Sequence, residues 1–168
     1  MHGRRTCNLT PPPPNIAIGA PPQVLIFSGS VRILDMIEQG LKTEGKTYVR
    51  IDGKVSGPKR SQAVRDFQTD PNIYVFLIST GAGGEGITLT AANKVIIFDP
   101  NWNPARDLQA QDRAYRMGQR REVNVYRFIS AGTIEEKLYA RQYVWPRSRD
   151  CPDPPPSRHS RHLIRRRL

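Results

Sequence analysis

Two arginines three positions apart, Arg113 and Arg116, stand in the stretch "DLQAQDRAYRMGQ", with Gln109, Asp112 and Gln119 around them. A guanidinium presents a planar fork of N–H donors, stays charged, and can straddle two phosphate oxygens. Two such forks near a helix end, with a glutamine beside them, suit the charge that builds on a transferring phosphoryl group. Read at helical period, Arg113 and Arg116 share one face. A solvated, salt-bridged helix would use the same residue types, since Asp107 and Asp112 lie close by. Spacing alone does not separate the two.

The second chemically suggestive stretch is "STGAGGEG", residues 79–86, placed between the apolar runs "IYVFLIS" and "KVIIFD". Gly81, Gly83 and Gly86 fit the spacing G-x-G-x-x-G, and Asp99 closes the next apolar run. A dinucleotide-binding loop also needs a helix starting within it, so that the pyrophosphate meets the helix N-terminus. Only seven residues, "ITLTAAN", separate Gly86 from Lys94. A crossover with a helix takes ~10–12 residues or more, and the β-branched "ITLT" is a poor helix start. The glycines are therefore not a dinucleotide fingerprint. No metal centre is expected either: His2, His159 and His162, like Cys7 and Cys151, all lie in the tails.

The elements that must position these residues alternate along the chain. "QVLIFS" is apolar almost throughout, as a strand covered on both faces should be. "SVRILDMIEQGLKTEG" spaces Val31, Leu34, Ile37 and Leu41 as one helical face, with Ser30 as N-cap and Gly45 as stop. "TYVRID" reads as a strand. "GPKRSQAVRDFQTD" reads as a helix with Val64 and Phe67 on one side. The two apolar runs around the glycine loop are strands. "PARDLQAQDRAYRMG" is expected to be a helix from Pro104 to a stop at Gly118. "EVNVYRFIS" is a strand, and "TIEEKLYARQYV" a closing helix with a Thr133/Glu136 capping box. This order predicts an α/β domain with a largely parallel sheet.

With 168 residues the chain can bury one real core. It has no run near the ~20 apolar residues of a membrane span, and no secretory h-region is expected. The net charge of +11 is concentrated at the ends: Arg147 to Leu168 holds seven arginines and two aspartates, and residues 1–22 add Arg4 and Arg5. The middle keeps only +4, so bulk charge says little about function. Residues 1–22 are proline-rich and 145–168 rich in proline and arginine; both are expected to be disordered, with a basic nucleic-acid arm as the other reading of the second. The folded domain is expected over residues 23–144.

Taken in order, "STGAGGEGITL", "VIIFDPNWNP" and "QAQDRAYRMGQ" resemble motifs five and six of superfamily two helicases, and more narrowly the Swi/Snf-type DNA translocases. "VLIFSGS" resembles motif four, and "RIDGKVSGPKRSQAVRDF" the stretch after it. The resemblance covers about residues 23–143, and is strongest to the Cockayne-syndrome-B-like and mitotic checkpoint translocase branch.

The resemblance implies a RecA-like, three-layer second motor lobe. Neither G-x-x-x-x-G-K-[ST] nor D-E-x-H occurs in the chain, and the family carries both on its first lobe. ATP with Mg2+ would be held mainly by that first lobe. Arg113 and Arg116 take the family's place for arginine fingers, Gln109 polarises the same site, and Gly86 and Asp112 border the nucleotide. Ser79, Thr80, Gly83, Gly84, Trp102 and Lys54 fall where the family contacts the DNA backbone. Arg50, Lys59 and Arg60 could join them. A strand-end turn, a packed tryptophan and a solvated basic face explain those residues equally simply. Glu85 and Gly81 depart from the family, where an arginine and a small apolar residue are usual, respectively. The implied partners are double-stranded DNA, the first lobe of the same motor and chromatin, in the nucleus, with no membrane. An ATPase-dead lobe that only binds DNA or a partner is the alternative.

Overall fold

The computed structural model describes residues 22–55, 57–82, 86–119, 121–143 and 161–166. Gly83, Gly84, Glu85 and Arg120, residues 1–21, and the histidines and cysteines of the tails other than His162 lie outside these.

The chain runs β1 (Gln23–Ser28), α1 (Val31–Thr43), β2 (Tyr48–Ile51), α2 (Gly57–Thr69), β3 (Val75–Ser79), β4 (Ala92–Ile97), α3 (Pro104–Gln111), β5 (Asn124–Ser130), α4 (Ile134–Tyr143) and β6 (Arg161–Arg166). The strands form one sheet in the order β2-β3-β1-β4-β5-β6, with every pair parallel. The expected element order from β1 to α4 is present. β6 adds a strand in the segment expected to be disordered, pairing Val125↔Arg161 through Ser130↔Arg166. Without it β5 would leave an open edge of N–H and C=O groups.

β1 is buried along its whole length, and its alternation serves two cores. Val24 and Ile26 face α1, packing with Leu34, Val75 and Leu77. Leu25 and Phe27 face α2 and α3, packing with Ile51, Phe67, Phe76, Ile78, Val95, Ala110 and Ala114. Phe67 of α2 meets Phe76 of β3 edge-on, with ring centroids 4.9 Å apart. Three layers result, because a sheet apolar on both faces must be covered on both. α4 lies against β5.

Local signals set most element ends. Gly45 takes φ 61 after α1, a left-handed conformation that glycine adopts without strain. Pro104 opens α3 behind Asn103, whose side chain accepts from the Ala105 amide at 3.0 Å. Thr133 Oγ1 accepts from the Glu135 amide, and Glu136 reaches back to the Gly132 amide at 2.9 Å, a capping box shifted by one residue at each contact. Ser30 occupies the N-cap of α1, but its hydroxyl makes no capping bond; its amide donates to Ser28 Oγ instead.

β3 and β4 pair with opposite sides of β1, so residues 80–91 must carry the chain across it. Residues 86–91 contain no helix. Leu89 and Ala91 pack directly into the α2/α3 core.

Candidate nucleotide and DNA site

Because all strands are parallel, their C-terminal ends share one edge. The connections of the neighbours β1 and β4 leave in opposite directions, the topological switch point at which ligands of open parallel sheets bind. The Gly29 amide donates to Asp99 Oδ2 across it at 2.9 Å, and the Thr80 amide donates to the Ser28 carbonyl at 2.9 Å. A Cβ on Gly29 would stand 3.1 Å from Asp99 Oδ2 and 3.5 Å from Thr80 Oγ1, so a larger residue there would press on the Asp99 carboxylate. Ser79 is buried, Thr80 half-buried and Gly81 exposed. Gly83 and Gly84, also expected at the DNA, lie outside the described residues. Lys54 is exposed just past β2 on the same edge, its amide held by Asp52 Oδ1 at 3.0 Å.

Arg50 is not available to phosphates. Its guanidinium donates to Asp35 at 2.6 Å, Glu38 at 2.5 Å and Asp52 at 3.1 Å, tying β2 to α1. Together with Lys42, the largest influence, and Tyr48, it holds the Glu38 carboxyl down to about 2.

The arginine pair departs from expectation. α3 ends at Gln111, seven residues before Gly118, so Arg113 and Arg116 stand on a turn rather than on one helical face. The physical cause is tertiary. The Leu89 amide takes the Arg113 carbonyl at 2.9 Å, removing it from the helical ladder. Tighter bonds follow, Arg113 to Ala110 and Ala114 to Gln111, and Gly118 turns the chain with φ 102.

Arg113 is consequently buried, at 5% exposure, while Arg116 is exposed. Arg116 lies along the glycine loop and donates to the Gly86 carbonyl at 3.0 Å and Thr88 Oγ1 at 2.6 Å. Burial is the chief force pulling the Arg113 pKa below its ordinary value. Arg116 and Arg60 push the same way, and Asp112 opposes them. Three guanidiniums thus share one neighbourhood, with Asp112 exposed at the C-cap of α3 and Gln109 exposed one turn earlier.

The sequence reading missed how the glycine loop is held. Residues 86–91, which form no helix, must find donors for their own carbonyls. Arg60 of α2 donates to Ala82, and Gln68 to Thr88 at 2.8 Å. Gln119 donates to Thr90 at 3.0 Å, Ala92 at 2.8 Å and Ala114 at 3.3 Å, and Arg121 donates to Ala91. These donors lie 20 to 30 residues from their loop acceptors, so no local pattern marked them.

Trp102 stands on the loop from β4 to α3 with 72% of its surface exposed. Below it Asp107 is completely buried and accepts the Asn101 amide on both oxygens, each at 3.3 Å. Burial raises the Asp107 pKa to about 6 against that hydrogen bond and the nearby Arg127, with Asp99 adding to the rise.

The donor set around Arg113 fits the anionic end of a nucleotide. Among the described residues, no group of three His, Cys, Asp or Glu side chains could hold a metal ion, and no helix is long and apolar enough to cross a membrane.

Comparison with known proteins follows the same lines. Residues 14–118 match the family described as the helicase conserved C-terminal domain. Over 120 residues the chain is 52% identical to Switch 2 of Arabidopsis thaliana, covering 71% of this chain and 14% of that protein. It is 47% identical over 120 residues to DNA excision repair protein ERCC-6 of Homo sapiens, covering 71% and 8%. It is 49% identical over 119 residues to the chromatin-remodeling ATPase INO80 of Pyricularia oryzae, covering 71% and 6%. The crystal structure of the C-terminal part of the Fun30 ATPase domain matches with a TM-score of 0.68 at 44% identity, over 70% of this chain and 38% of that one. The chain therefore spans 14% or less of the length of each of these three curated relatives.

Proposed function

The chain belongs to the helicase conserved C-terminal domain family, and we propose that it is the second motor lobe of a DNA-dependent ATPase that translocates along duplex DNA in the nucleus, in chromatin remodelling or DNA repair. One observation carries the reading. Arg113 and Arg116 gather with Arg60 beside the glycine loop, whose other end reaches the sheet edge bearing Thr80, Gly29 and Lys54.

ATP with Mg2+ supplies the phosphoryl group and its metal charge from the first lobe. This chain's part is electrostatic. Arg113 and Arg116 donate to the γ-phosphate oxygens as the lobes close, with Gln109 and Asp112 bordering them and Gly86 lining the approach. Arg113, already packed into the fold, costs little reorganisation when charge develops. The buried Arg113 guanidinium acts more strongly than a solvated one, because water screens it less. Reaching a bound phosphate requires Arg116 to leave Gly86 and Thr88, so nucleotide contact and the glycine loop share one side chain. Ser79, Thr80, Gly83, Gly84, Lys54 and Trp102 grip one strand of the duplex through its backbone, and lobe motion steps it.

The test compares the chain alone with the chain joined to a first lobe from a relative. The joined protein should hydrolyse ATP faster when duplex DNA is added, and the chain alone should not hydrolyse it. Turnover by the chain alone would overturn the division of labour. DNA binding without any turnover in the joined protein would favour an ATPase-dead binding lobe.

A further inference from the structure

The loop "DPNWNP" is pinned through the backbone of Asn101, Trp102 and Asn103, yet it exposes its one large side chain. The Asn101 amide is held by Asp107 at 3.3 Å to each oxygen. The Asn103 amide is held by Asn101 Oδ1 and the Ala105 amide by Asn103 Oδ1, both at 3.0 Å. Pro100 and Pro104 fix φ at both ends. The carbonyls of Asn101 and Trp102 both receive Gln142 Nε2, at 2.9 and 2.7 Å. Gln142 comes from α4, 40 residues further along the chain.

This geometry fixes the sense of the amide. Both N–H groups of Gln142 point at carbonyls, and a flipped amide would set its oxygen against them. The exposed indole therefore stands on a backbone whose ordering entropy is already spent in folding. A pre-ordered side chain loses less freedom on binding than one carried by a loose loop.

We propose that Gln142 is the positioning residue for Trp102: by donating to the Asn101 and Trp102 carbonyls, α4 holds the indole ready to dock on the backbone of duplex DNA. The docking half rests on the reading of Trp102 as a DNA contact given above.

The test uses the 168-residue chain with Trp145→Phe, which leaves Trp102 as the single tryptophan. Gln142→Met removes the donor at similar volume and without adding charge. Time-resolved anisotropy of Trp102 should gain a fast, large-amplitude component in Gln142→Met, and Gln142→Lys, which keeps an N–H donor, should restore the slow decay. Duplex affinity at fixed salt should fall about tenfold in Gln142→Met, the scale of one aromatic contact, by as much as Trp102→Ala alone, with no further loss in the double variant. An unchanged decay in Gln142→Met, or equal looseness in Gln142→Lys, overturns the positioning role whatever the DNA result. A loosened Trp102 whose removal leaves DNA affinity intact overturns the DNA reading instead, and with it the docking half.

Discussion

Replacing Gln119 by leucine should loosen the glycine loop without dissolving the sheet. Its amide reaches three carbonyls, at 3.0 Å on Thr90, 2.8 Å on Ala92 and 3.3 Å on Ala114, and its oxygen accepts the Arg121 amide at 3.0 Å. With two hydrogens for three acceptors, the two shorter donations carry most of the effect. At about 1 kcal/mol net for each of these and for the accepted bond, the upper figure is about 3 kcal/mol. Gln119 is half-buried, so water replaces part of what is lost, and about 2 kcal/mol is expected. Urea unfolding followed by far-UV circular dichroism should show that loss with an unchanged m-value. Hydrogen exchange should localise it. The Leu89 amide, bonded to the Arg113 carbonyl, and the Ala92 amide, bonded to Leu89, should each exchange about 30-fold faster, while the β1 and β3 amides change less. Gln119→Glu, which turns a carboxylate toward the same carbonyls, should be worse. A loss below about 0.5 kcal/mol, or protection falling evenly across β1 and β3, would refute the stapling argument.

Asp107→Asn should alter how stability depends on pH. The folded pKa of Asp107, about 6, lies above its ordinary 3.8, so the native state binds the extra proton and stability falls as pH rises between those values. The wild type should lose roughly 3 kcal/mol across that window from this group, a slope the asparagine variant should lack; parallel curves for the two proteins would contradict it. Arg50→Leu should cost about 2 kcal/mol at pH 7, because Asp35, Glu38 and Asp52 lose their shared partner. Glu38 has the opposite sign: its contribution is full above 4.5 and is lost as pH falls through about 2, so Arg50→Leu should flatten the acid limb of an unfolding titration.

The parts of this fold written in local patterns were legible. Apolar runs located β1, β3 and β4, helical spacing located α1 and α2, and Gly45, Pro104 and Thr133 marked element ends that the structure uses. Counting the residues between Gly86 and Lys94 was enough to exclude a crossover helix, because the limit is one of chain length. What escaped depends on residues distant in sequence. The helical pattern after Pro104 continues to Gly118, but the Leu89 amide and the loop carbonyls compete for that segment and end α3 at Gln111. Arg50 reads as a cation free for phosphate until folding sets it among Asp35, Glu38 and Asp52. Asp107 reads as a solvated helix residue, whereas the loop beneath Trp102 needs an acceptor for the Asn101 amide. β6 comes from a segment too polar to fold alone, yet six residues suffice to pair with a strand edge already in place.

In the proposed motor the turn after α3 acts on ATP held by another lobe. The most direct test of this is steady-state ATPase activity of Arg116→Ala in the chain joined to a first lobe, beside a duplex-binding titration and a thermal melt. A finger arginine supplied across an interface is worth ~10³–10⁵ in rate, so turnover should fall by at least about a thousandfold. DNA affinity should stay nearly unchanged. Because Arg116 is exposed and gives up only its bonds to Gly86 and Thr88, stability should fall by no more than about 1 kcal/mol. Arg113→Ala should also abolish turnover, and Arg116→Lys should rescue little, since an ammonium lacks the planar fork. Near-normal turnover in Arg116→Ala, or a loss accounted for by unfolding, would contradict the account and leave Arg116 as a tether for the glycine loop.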